Sequence, residues 1–255
     1  MAELERLLAI MRRLRDPNEG CAWDRAQTFS SIAPYTIEEA YEVADAIDSG
    51  DPKAICDELG DLLLQVVFQA QIAQEAGLFD FADVARAIAN KMEARHPHIF
   101  SSSEVGMDHS RWEDIKAAER VSRGSLSAMD GVAGALPALV RAQKLQSRAA
   151  RDGFDWPDTH GPLQKLQEEV GEFVAAETEG DRLEEAGDLL FAAVNVLRAY
   201  KVDPELALRQ ANTKFERRYR QMEALASTPF SHLTLDQQEE LWAAVKRNED
   251  QPARN

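Results

Sequence analysis

Apolar residues recur every three or four positions along most of this 255-residue chain, which is the spacing of one face of an α-helix. Alternating strand patterns are absent from the sequence. Short apolar runs such as "LLLQVVF", at 62–68, lie inside longer helical windows. The pattern therefore predicts an all-α fold.

Helix ends are marked by residues with a clear local role. An N-cap aspartate, followed by proline in two of three cases, predicts helix starts at Asp51, Asp80 and Asp203. Gly77 is predicted to end the helix over 52–76, because glycine readily adopts the left-handed conformation common at such ends. Pro97 is predicted to end the helix that carries "KMEAR" (91–95).

The helical pattern occurs twice. Five blocks recur in the same order, with length changes only between them. They are "GCAWD" (20–24) with "GFDWP" (153–157), "EEAYE" (38–42) with "EEVGE" (168–172), "DELGDLL" (57–63) with "EEAGDLL" (184–190), "KMEAR" (91–95) with "KFERR" (214–218), and "WEDIK" (112–116) with "WAAVK" (242–246). We predict an N-terminal repeat over 1–119, a Ser- and Gly-rich linker over 120–134 and a C-terminal repeat over 135–255.

Acidic residues stand three apart on two consecutive predicted helices of the C-terminal repeat. Glu169 and Glu172 lie on the first helix, and Glu185 and Asp188 lie on the second. Residues at this spacing share a helix face, with Cβ atoms about 5–6 Å apart. Two such helices packed side by side would bring four carboxylates together, and Glu168 can join the same face.

A solvated acidic helix surface is the ordinary alternative for such residues. Three features argue against it. The acidic pairs are flanked by apolar runs, and Glu169 and Glu172 have no basic residue four positions downstream. Gly187 is a poor helix former, which predicts that something packs close to the backbone there.

Converging carboxylates repel one another and favour a bound cation. Oxygen ligands select Mg²⁺, Mn²⁺ or Ca²⁺ over zinc, and Mg²⁺ usually takes further ligands from substrate phosphates. The predicted cofactor is Mg²⁺, with Mn²⁺ as a substitute, and the predicted substrate is phosphorylated. Side chains that could bind phosphate or stack on a base, unless they are solvated or in the core, are Lys165, Lys214, Arg217, Arg218, Lys246 and Trp242.

The acidic pattern "EEVGE…EEAGD" resembles the EExxE…ExxD pattern of the MazG family of nucleoside triphosphate pyrophosphohydrolases. With both repeats, "GCAWD" and "KFERR", essentially the whole chain resembles two-repeat bacterial members. The resemblance implies an all-α fold, usually a homodimer. It also implies Mg²⁺-dependent cleavage of NTP or dNTP between the α and β phosphates, which gives a nucleoside monophosphate and pyrophosphate.

The resemblance also implies residue roles. The catalytic metal ligands would be Glu169, Glu172, Glu185 and Asp188. The nucleotide would be bound by Lys165, Glu168, Lys214, Arg217, Arg218, Trp242 and Lys246.

The N-terminal repeat keeps the carboxylates but differs around them. A possible second metal site comprises Glu39, Glu42, Glu58 and Asp61. Tyr35 stands where the C-terminal repeat has Lys165, and Thr36 is predicted to start the helix in a capping box with Glu39. Pro97 interrupts the basic helix, so the C-terminal repeat is predicted to be the main catalytic one.

The chain carries a formal net charge of -16, which disfavours nucleic acid and anionic membranes as partners. Its two cysteines match no zinc pattern, are expected to pack as small apolar residues and are typical of a reducing compartment. No apolar run approaches the roughly 20 residues needed to span a bilayer. We therefore expect a cytoplasmic protein with no membrane or nucleic-acid partner.

Three other classes of protein remain as alternatives. "RLEEAGDLL" resembles part of the Nudix box, although the Nudix Arg-Glu pair is missing upstream and that fold needs strands. A di-iron bundle would carry ExxH pairs, whereas this chain has ExxD. The non-enzymatic alternative is an all-α dimer scaffold with a non-catalytic metal or nucleotide-binding site.

Overall fold

The computed structural model describes residues 2–100, 115–119, 124 and 126–249. Every regular element within these residues is a helix, which confirms the all-α prediction. The chain divides into two compact units, Met1–Lys116 and Ala117–Asn255, termed here the N-terminal and C-terminal units. Parts of the predicted linker (120–123 and 125) and of the block "WEDIK" (112–114) lie outside the described residues. No described helix is both long enough and apolar enough to cross a membrane.

The N-terminal unit is built around two long helices that pack along each other. Its helices are α1 (Ala2–Leu14), α2 (Ala22–Ala26), α3 (Phe29–Ser49), α4 (Pro52–Glu75), α5 (Phe81–Arg95) and α6 (Pro97–Phe100). The long pair is α3 and α4, and α1 and α5 pack on α4. The buried core of this unit comprises Met11, Ile32, Val67, Phe68 and Ile72.

The C-terminal unit repeats this arrangement. Its helices are α7 (Ala138–Arg151), α8 (His160–Ala175), α9 (Glu179–Ala199), α10 (Pro204–Leu225) and α11 (Leu235–Glu249), with a short 3₁₀ turn at Phe230–His232. The long pair here is α8 and α9; α7 packs on α9 and α10, and α11 packs on α10. The helices that carry the acidic pairs are therefore neighbours in each unit.

The predicted helix ends are confirmed. The side chain of Asp51 accepts a hydrogen bond from the backbone of Lys53, and Asp80 and Asp203 cap their helices in the same way. Gly77 follows α4 with a φ of 68°, the left-handed conformation expected after a helix. The helix before Pro97 ends at Arg95, whereas α10 runs on through "KFERRYRQME".

The predicted start of α3 at Thr36 is wrong. The helix begins at Phe29, where Thr28 and Ser31 form a reciprocal capping box. Pro34 lies inside the helix, because its fixed φ is compatible with helical geometry and only one backbone hydrogen bond is lost. Thr36 instead accepts a hydrogen bond from Gln69 Nε2 at 2.9 Å, so Glu39 has no capping role.

The expectation that the two cysteines pack in the core is also wrong. Cys21 and Cys56 are both free thiols with exposed side chains. Cys21 lies immediately before the short helix α2, and Cys56 lies in the first turns of α4, ahead of its buried residues. Neither position faces the core.

A buried arginine joins the ends of α1 and α4. Arg15 is 8% exposed, and its Nε and Nη2 atoms donate to the Glu75 carboxylate at 3.0 and 2.7 Å. The guanidinium also donates to the backbone oxygens of Asp24 and Gln27 and lies over the Phe68 ring. Hydrogen bonds from Arg15 hold the pKa of Glu75 below its ordinary value.

Candidate active site

The helices α8 and α9 bring three carboxylates of the C-terminal unit together. One carboxylate oxygen from each of Glu169, Glu172 and Glu185 lies within 4.8 Å of the others. We call these three residues the C-terminal cluster. Glu169 is only 4% exposed, whereas Glu172 faces solvent. The three-residue spacing on α8 and the packing of α8 along α9 account for this convergence.

Asp188 lies one turn beyond Glu185 on α9 and adds a fourth negative charge. The pKa of Glu185 is raised by loss of solvent and by the charges of Glu172, Glu169 and Asp188, in that order. Asp188 and Glu169 also line a cavity beside the cluster. All four predicted ligands are therefore neighbours. The group whose carboxylate oxygens all lie within 4.8 Å of one another contains three of them, without Asp188.

Lys165 lies among these carboxylates. Its Nζ atom is 2.7 Å from oxygens of both Glu168 and Glu169, and 4.0 Å from Glu172. Hydrogen bonds to Glu168 and then Glu169 hold the pKa of Lys165 above its ordinary value, so the ammonium group stays charged. The lysine thus neutralises part of the cluster and lines the neighbouring cavity.

The cavity has a volume of about 670 Å³. Lys165, Glu169 and Asp188 are among its lining residues. Its other described lining residues combine aromatic, apolar and polar groups: Met129, Leu145, Gln146, Ala149, Gly153, Phe154, Asp155, Trp156, Phe191, Ala192, Asn195 and Arg198. Such a mixture in a concave site is typical of small-molecule binding.

Trp156 can line this cavity because residue 161 is glycine. A Cβ atom built at Gly161 would lie 2.3 Å from the Trp156 ring, well inside van der Waals contact. Gly161 is itself buried in the first turn of α8. Any larger residue there would displace the indole from the cavity wall.

A polar group that the sequence does not predict also lines the cavity. Arg198 pairs with both carboxylate oxygens of Asp155, and this contact lowers the pKa of Asp155. The same guanidinium donates from Nε and Nη2 to Asn195 Oδ1 at 3.0 and 2.8 Å. The recurrence of "GCAWD" as "GFDWP" was the available signal for Asp155 and Trp156.

The basic residues predicted on α10 and α11 form a separate group. Arg217 and Arg218 both pair with Glu249 at 2.7 Å, and the Arg218 guanidinium lies 5.3 Å from the centre of the Trp242 ring. Among the described residues, the cavity lining includes none of Lys214, Arg217, Arg218, Trp242 and Lys246. Their predicted nucleotide-binding roles stay predictions.

The N-terminal unit contains a matching cluster. Oxygens of Glu39, Glu58 and Asp61, here called the N-terminal cluster, also lie within 4.8 Å of one another. The pKa of Glu39 is raised first by loss of solvent and then by the charges of Asp61 and Glu42. The pKa of Glu58 is raised first by loss of solvent and then by the charges of Glu42 and Asp61. Glu42 therefore adjoins this cluster as Asp188 adjoins the other.

Larger side chains stand at the matching positions beside the N-terminal cluster. Aligning "DELGDLL" with "EEAGDLL" places Gln65 at the position of Ala192 and Phe68 at that of Asn195. Both residues are buried, and Gln65 Nε2 donates to Glu39 at 3.2 Å. Trp23 packs edge-on against Phe68 and Tyr35. The two units thus share carboxylates but differ in the size of the side chains beside them.

The prediction of close packing at Gly187 is wrong for the described residues. A Cβ atom there would meet no atom within 4 Å. Gly187 is exposed on α9 between Glu185 and Asp188.

Sequence comparisons now decide the family. A model described as the MazG nucleotide pyrophosphohydrolase domain matches residues 27–100. The nucleoside triphosphate pyrophosphohydrolase of Escherichia coli (strain K12) is 48% identical over 98% of this chain and 99% of its own length. The chain belongs to the MazG family. This confirms the resemblance seen in the acidic pattern.

Other MazG relatives match over nearly the whole chain. The nucleoside triphosphate pyrophosphohydrolase/pyrophosphatase MazG of Thermotoga maritima is 43% identical over 96% of both chains. YabN of Bacillus subtilis, an uncharacterized protein, is 42% identical over 97% of this chain and 52% of its own length. As a MazG protein the chain is an enzyme of the hydrolase class. Membership of this family excludes the Nudix, di-iron and scaffold alternatives.

Proposed function

We propose that this enzyme hydrolyses nucleoside triphosphates, ribo or deoxy, between the α and β phosphates. The products are a nucleoside monophosphate and pyrophosphate. The names of the relatives support a nucleoside triphosphate substrate. The observation that carries the proposal is a carboxylate cluster that adjoins a cavity of about 670 Å³, which is within the usual size range for a small-molecule site.

The chemistry of the donor set fits Mg²⁺, with Mn²⁺ as a substitute. The ligands would be Glu169, Glu172, Glu185 and Asp188, all of them hard oxygen donors. Loss of solvent, and then repulsion from neighbouring carboxylates, raise the pKa of Glu185, and a divalent cation would relieve that repulsion. When bound, Mg²⁺ would supply Lewis-acid activation of water and neutralise phosphate charge.

The remaining groups of the site would bind and orient the nucleotide. Lys165 lines the cavity beside the carboxylates and can turn its ammonium group to a phosphate oxygen. Glu168 holds Lys165 in place in the resting enzyme at 2.7 Å. Basic residues on α10 and α11 would approach the leaving pyrophosphate, as the family resemblance implies.

We assign catalysis to the C-terminal unit. The family-model match at 27–100 covers the N-terminal cluster, so the match alone does not choose between the units. The side chains beside the clusters support the C-terminal unit: Ala192 and Asn195 line a large cavity, whereas the larger, buried Gln65 and Phe68 stand at the matching positions. The N-terminal cluster is then a metal site without room for a nucleotide.

A cytoplasmic homodimer completes the proposal. Both acidic helices of the C-terminal unit expose large apolar side chains, notably Val174 at 77% and Leu183 at 78%. A second copy covering these residues would remove apolar surface from water.

The decisive experiment uses purified full-length protein with mixed nucleoside triphosphates and Mg²⁺, with and without a chelator. We expect pyrophosphate and nucleoside monophosphate with Mg²⁺ and neither product with chelator. Free phosphate as the first product would show that a different bond is cut. No pyrophosphate with any divalent metal would refute the proposed activity.

Two matched substitutions test which unit is catalytic. Glu172→Gln should lower kcat by at least about a hundredfold, because even residues that only support metal ligands cost 10–100-fold when removed. Glu42→Gln, the corresponding change in the N-terminal unit, should leave kcat within about threefold of wild type. If Glu42→Gln abolished turnover and Glu172→Gln did not, the assignment of the units would be reversed.

A further inference from the structure

The segment between α7 and α8 presents two aromatic side chains to the large cavity. Phe154 and Trp156 both line it. Phe154 keeps 84% of its surface exposed, and Trp156 keeps 48%. Covering an exposed aromatic ring is favourable, because it removes apolar area from water. The two rings therefore give the cavity an accessible apolar wall.

The segment that carries these rings is held in place at both of its ends. Gly153 follows α7 in the left-handed conformation, and the backbone of Phe154 donates to the carbonyl oxygen of Ala149 at 3.0 Å. The Trp156 ring lies against Gly161, where a Cβ atom would clash with it. A ligand would meet rings whose backbone is already ordered, which lowers the entropy cost of binding.

Phe154 does not serve the helix end at which it stands. The residue after the left-handed glycine of such a helix end often packs back on the last turn of the helix. The 84% exposure of Phe154 shows that its ring does not pack in this way. The ring therefore contributes little to the fold and remains available to a ligand.

The matching segment of the N-terminal unit lacks these features. Cys21 stands at the position of Phe154, and Ala22 stands at that of Asp155. Alanine has no charge, so the ion pair between Asp155 and Arg198 has no counterpart there. The exposed ring and the ion pair beside it thus occur in the unit that carries the large cavity.

The other lining residues of the cavity indicate which ligand would cover the ring. Lys165, Glu169 and Asp188 line the same cavity. A nucleotide whose phosphates approach these groups and their metal would extend its nucleoside along the remaining wall. A base is flat and stacks well on an aromatic ring.

We propose that Phe154 is a substrate-binding residue whose ring stacks on the base of the nucleoside triphosphate. The proposal rests on the proposed triphosphate hydrolysis and adds the group that binds the base. Trp156 supplies the neighbouring part of the same apolar wall. Because every base has a flat face, stacking on Phe154 would support affinity for all four bases.

The test measures KM and kcat of the full-length protein with ATP, GTP, CTP and UTP in turn. Phe154→Ala should raise KM by about fivefold or more for the substrates that wild type cleaves, which is the lower end of the stacking contribution of an aromatic side chain. The value of kcat should stay within about threefold, because the base is stacked equally before and during the reaction.

Three further variants separate stacking from other effects. Phe154→Tyr keeps a flat ring and should keep KM within about twofold of wild type, whereas Phe154→Leu keeps apolar bulk alone and should retain most of the increase. Phe79→Ala removes an exposed phenylalanine from a loop of the N-terminal unit, outside the described cavity lining, and should leave KM unchanged.

The outcomes distinguish this inference from the proposed function. A wild type that cleaves no triphosphate overturns the proposed function and the inference that rests on it. An active enzyme whose KM is unchanged by Phe154→Ala overturns the base-binding role alone. A rise in KM for Trp242→Ala in its place would assign the base to α11.

Two other results would also overturn the base-binding role. If Phe154→Leu bound substrate as well as Phe154→Tyr, the contact would be apolar without stacking. If sedimentation at the assay concentration showed that Phe154→Ala dissociates a dimer formed by wild type, the ring would be covered by a second copy of the chain. An unchanged sedimentation profile with a raised KM supports the proposal.

Discussion

At the scale of single residues, Lys165 would have two roles that it cannot perform at once: counter-charge to the carboxylates and ligand of a phosphate. Its ammonium group now contacts Glu168 and Glu169, each at 2.7 Å. This contact gives the buried Glu169 a counter-charge, which a buried carboxylate requires. A divalent cation needs the same oxygens, so metal entry would displace the lysine toward the cavity that it lines.

Lys165→Met should therefore affect metal and nucleotide in opposite directions. Without the competing ammonium group, Mg²⁺ should bind the nucleotide-free protein about threefold to tenfold more tightly. The value of kcat/KM for the triphosphate should fall, because a phosphate-binding charge is gone. Calorimetric titration with Mg²⁺ and a pyrophosphate-release assay measure the two effects.

Lys144→Met is the matched control for that substitution. Lys144 is exposed on α7 and lies outside the described lining of the cavity. It should leave both quantities unchanged. Weaker Mg²⁺ binding in Lys165→Met would show that the lysine organises the carboxylates rather than competing for them.

At the scale of helices, α4 and α9 show how one pattern gives two different sites. Both carry the ExxD pair and pack along a partner that carries ExxE. On α4 the next inward positions hold Gln65 and Phe68, which are buried. On α9 these positions hold Ala192 and Asn195, which line the cavity.

The double substitution Ala192→Gln with Asn195→Phe should give the C-terminal unit the larger side chains that the N-terminal unit has at these positions. We expect at least about a tenfold loss of kcat/KM, because the added side chains occupy the space proposed for the nucleotide and overpack the wall. Mg²⁺ binding should persist, since the carboxylates are untouched. Nucleotide binding and metal binding are measured separately by calorimetry.

Ala193→Gln provides the control on the same helix. Ala193 is outside the described cavity lining, so the substitution adds the same glutamine side chain without filling the site. Unchanged nucleotide affinity in the double variant would mean that the cavity does not hold the nucleotide.

The sequence predicted features that depend on local spacing and missed those that depend on contacts between helices. Asp51 caps a helix and Gly77 ends one through contacts within a few residues. Glu169 and Glu172 share a helix face by helical geometry alone. The pairing of Arg198 with Asp155 spans 43 positions, and no spacing rule indicates it. The cavity depends on small side chains that carry no motif.

The error at Thr36 has the same kind of cause. "T-x-x-E" at 36–39 is a valid capping pattern, but Thr28 and Ser31 form an equivalent cap earlier in the chain. The earlier cap gives a longer helix that reaches Ile32, which is buried in the core. Tertiary burial therefore decided between two locally acceptable starts.

At the scale of the whole molecule, each unit contains an arginine–carboxylate pair that joins distant segments. Arg15 holds Glu75 in the N-terminal unit, and Arg198 holds Asp155 in the C-terminal unit. Arg15 is the more deeply buried arginine of the two, with 6% of its side chain exposed against 16%. The overall charge of -16 makes each buried cation valuable for stability.

Arg15→Gln should lower the free energy of unfolding at neutral pH by about 2 kcal/mol, a value that allows for the partial exposure of Glu75. Because the folded pKa of Glu75 is lowered, its contribution is present above the ordinary value of 4.5 and is lost as the pH falls toward the folded pKa. The difference between variant and wild type in urea unfolding should therefore shrink below pH 4.5.

Arg12→Gln is a suitable control for the unfolding experiment. Arg12 is exposed on α1, and its guanidinium contacts a backbone oxygen of its own helix. Its effect should be small and independent of pH in this range. A difference between Arg15→Gln and wild type that stayed constant on acidification would show that Glu75 is not the group responsible.

The larger side chains beside the N-terminal cluster have a consequence for stoichiometry. The described residues contain two carboxylate clusters of similar dimensions, but the large cavity adjoins only the C-terminal one. Each chain would then take up metal at two places and nucleotide at one. The metal stoichiometry of the nucleotide-free protein would report both clusters. Only a titration with nucleotide would report the number of catalytic sites.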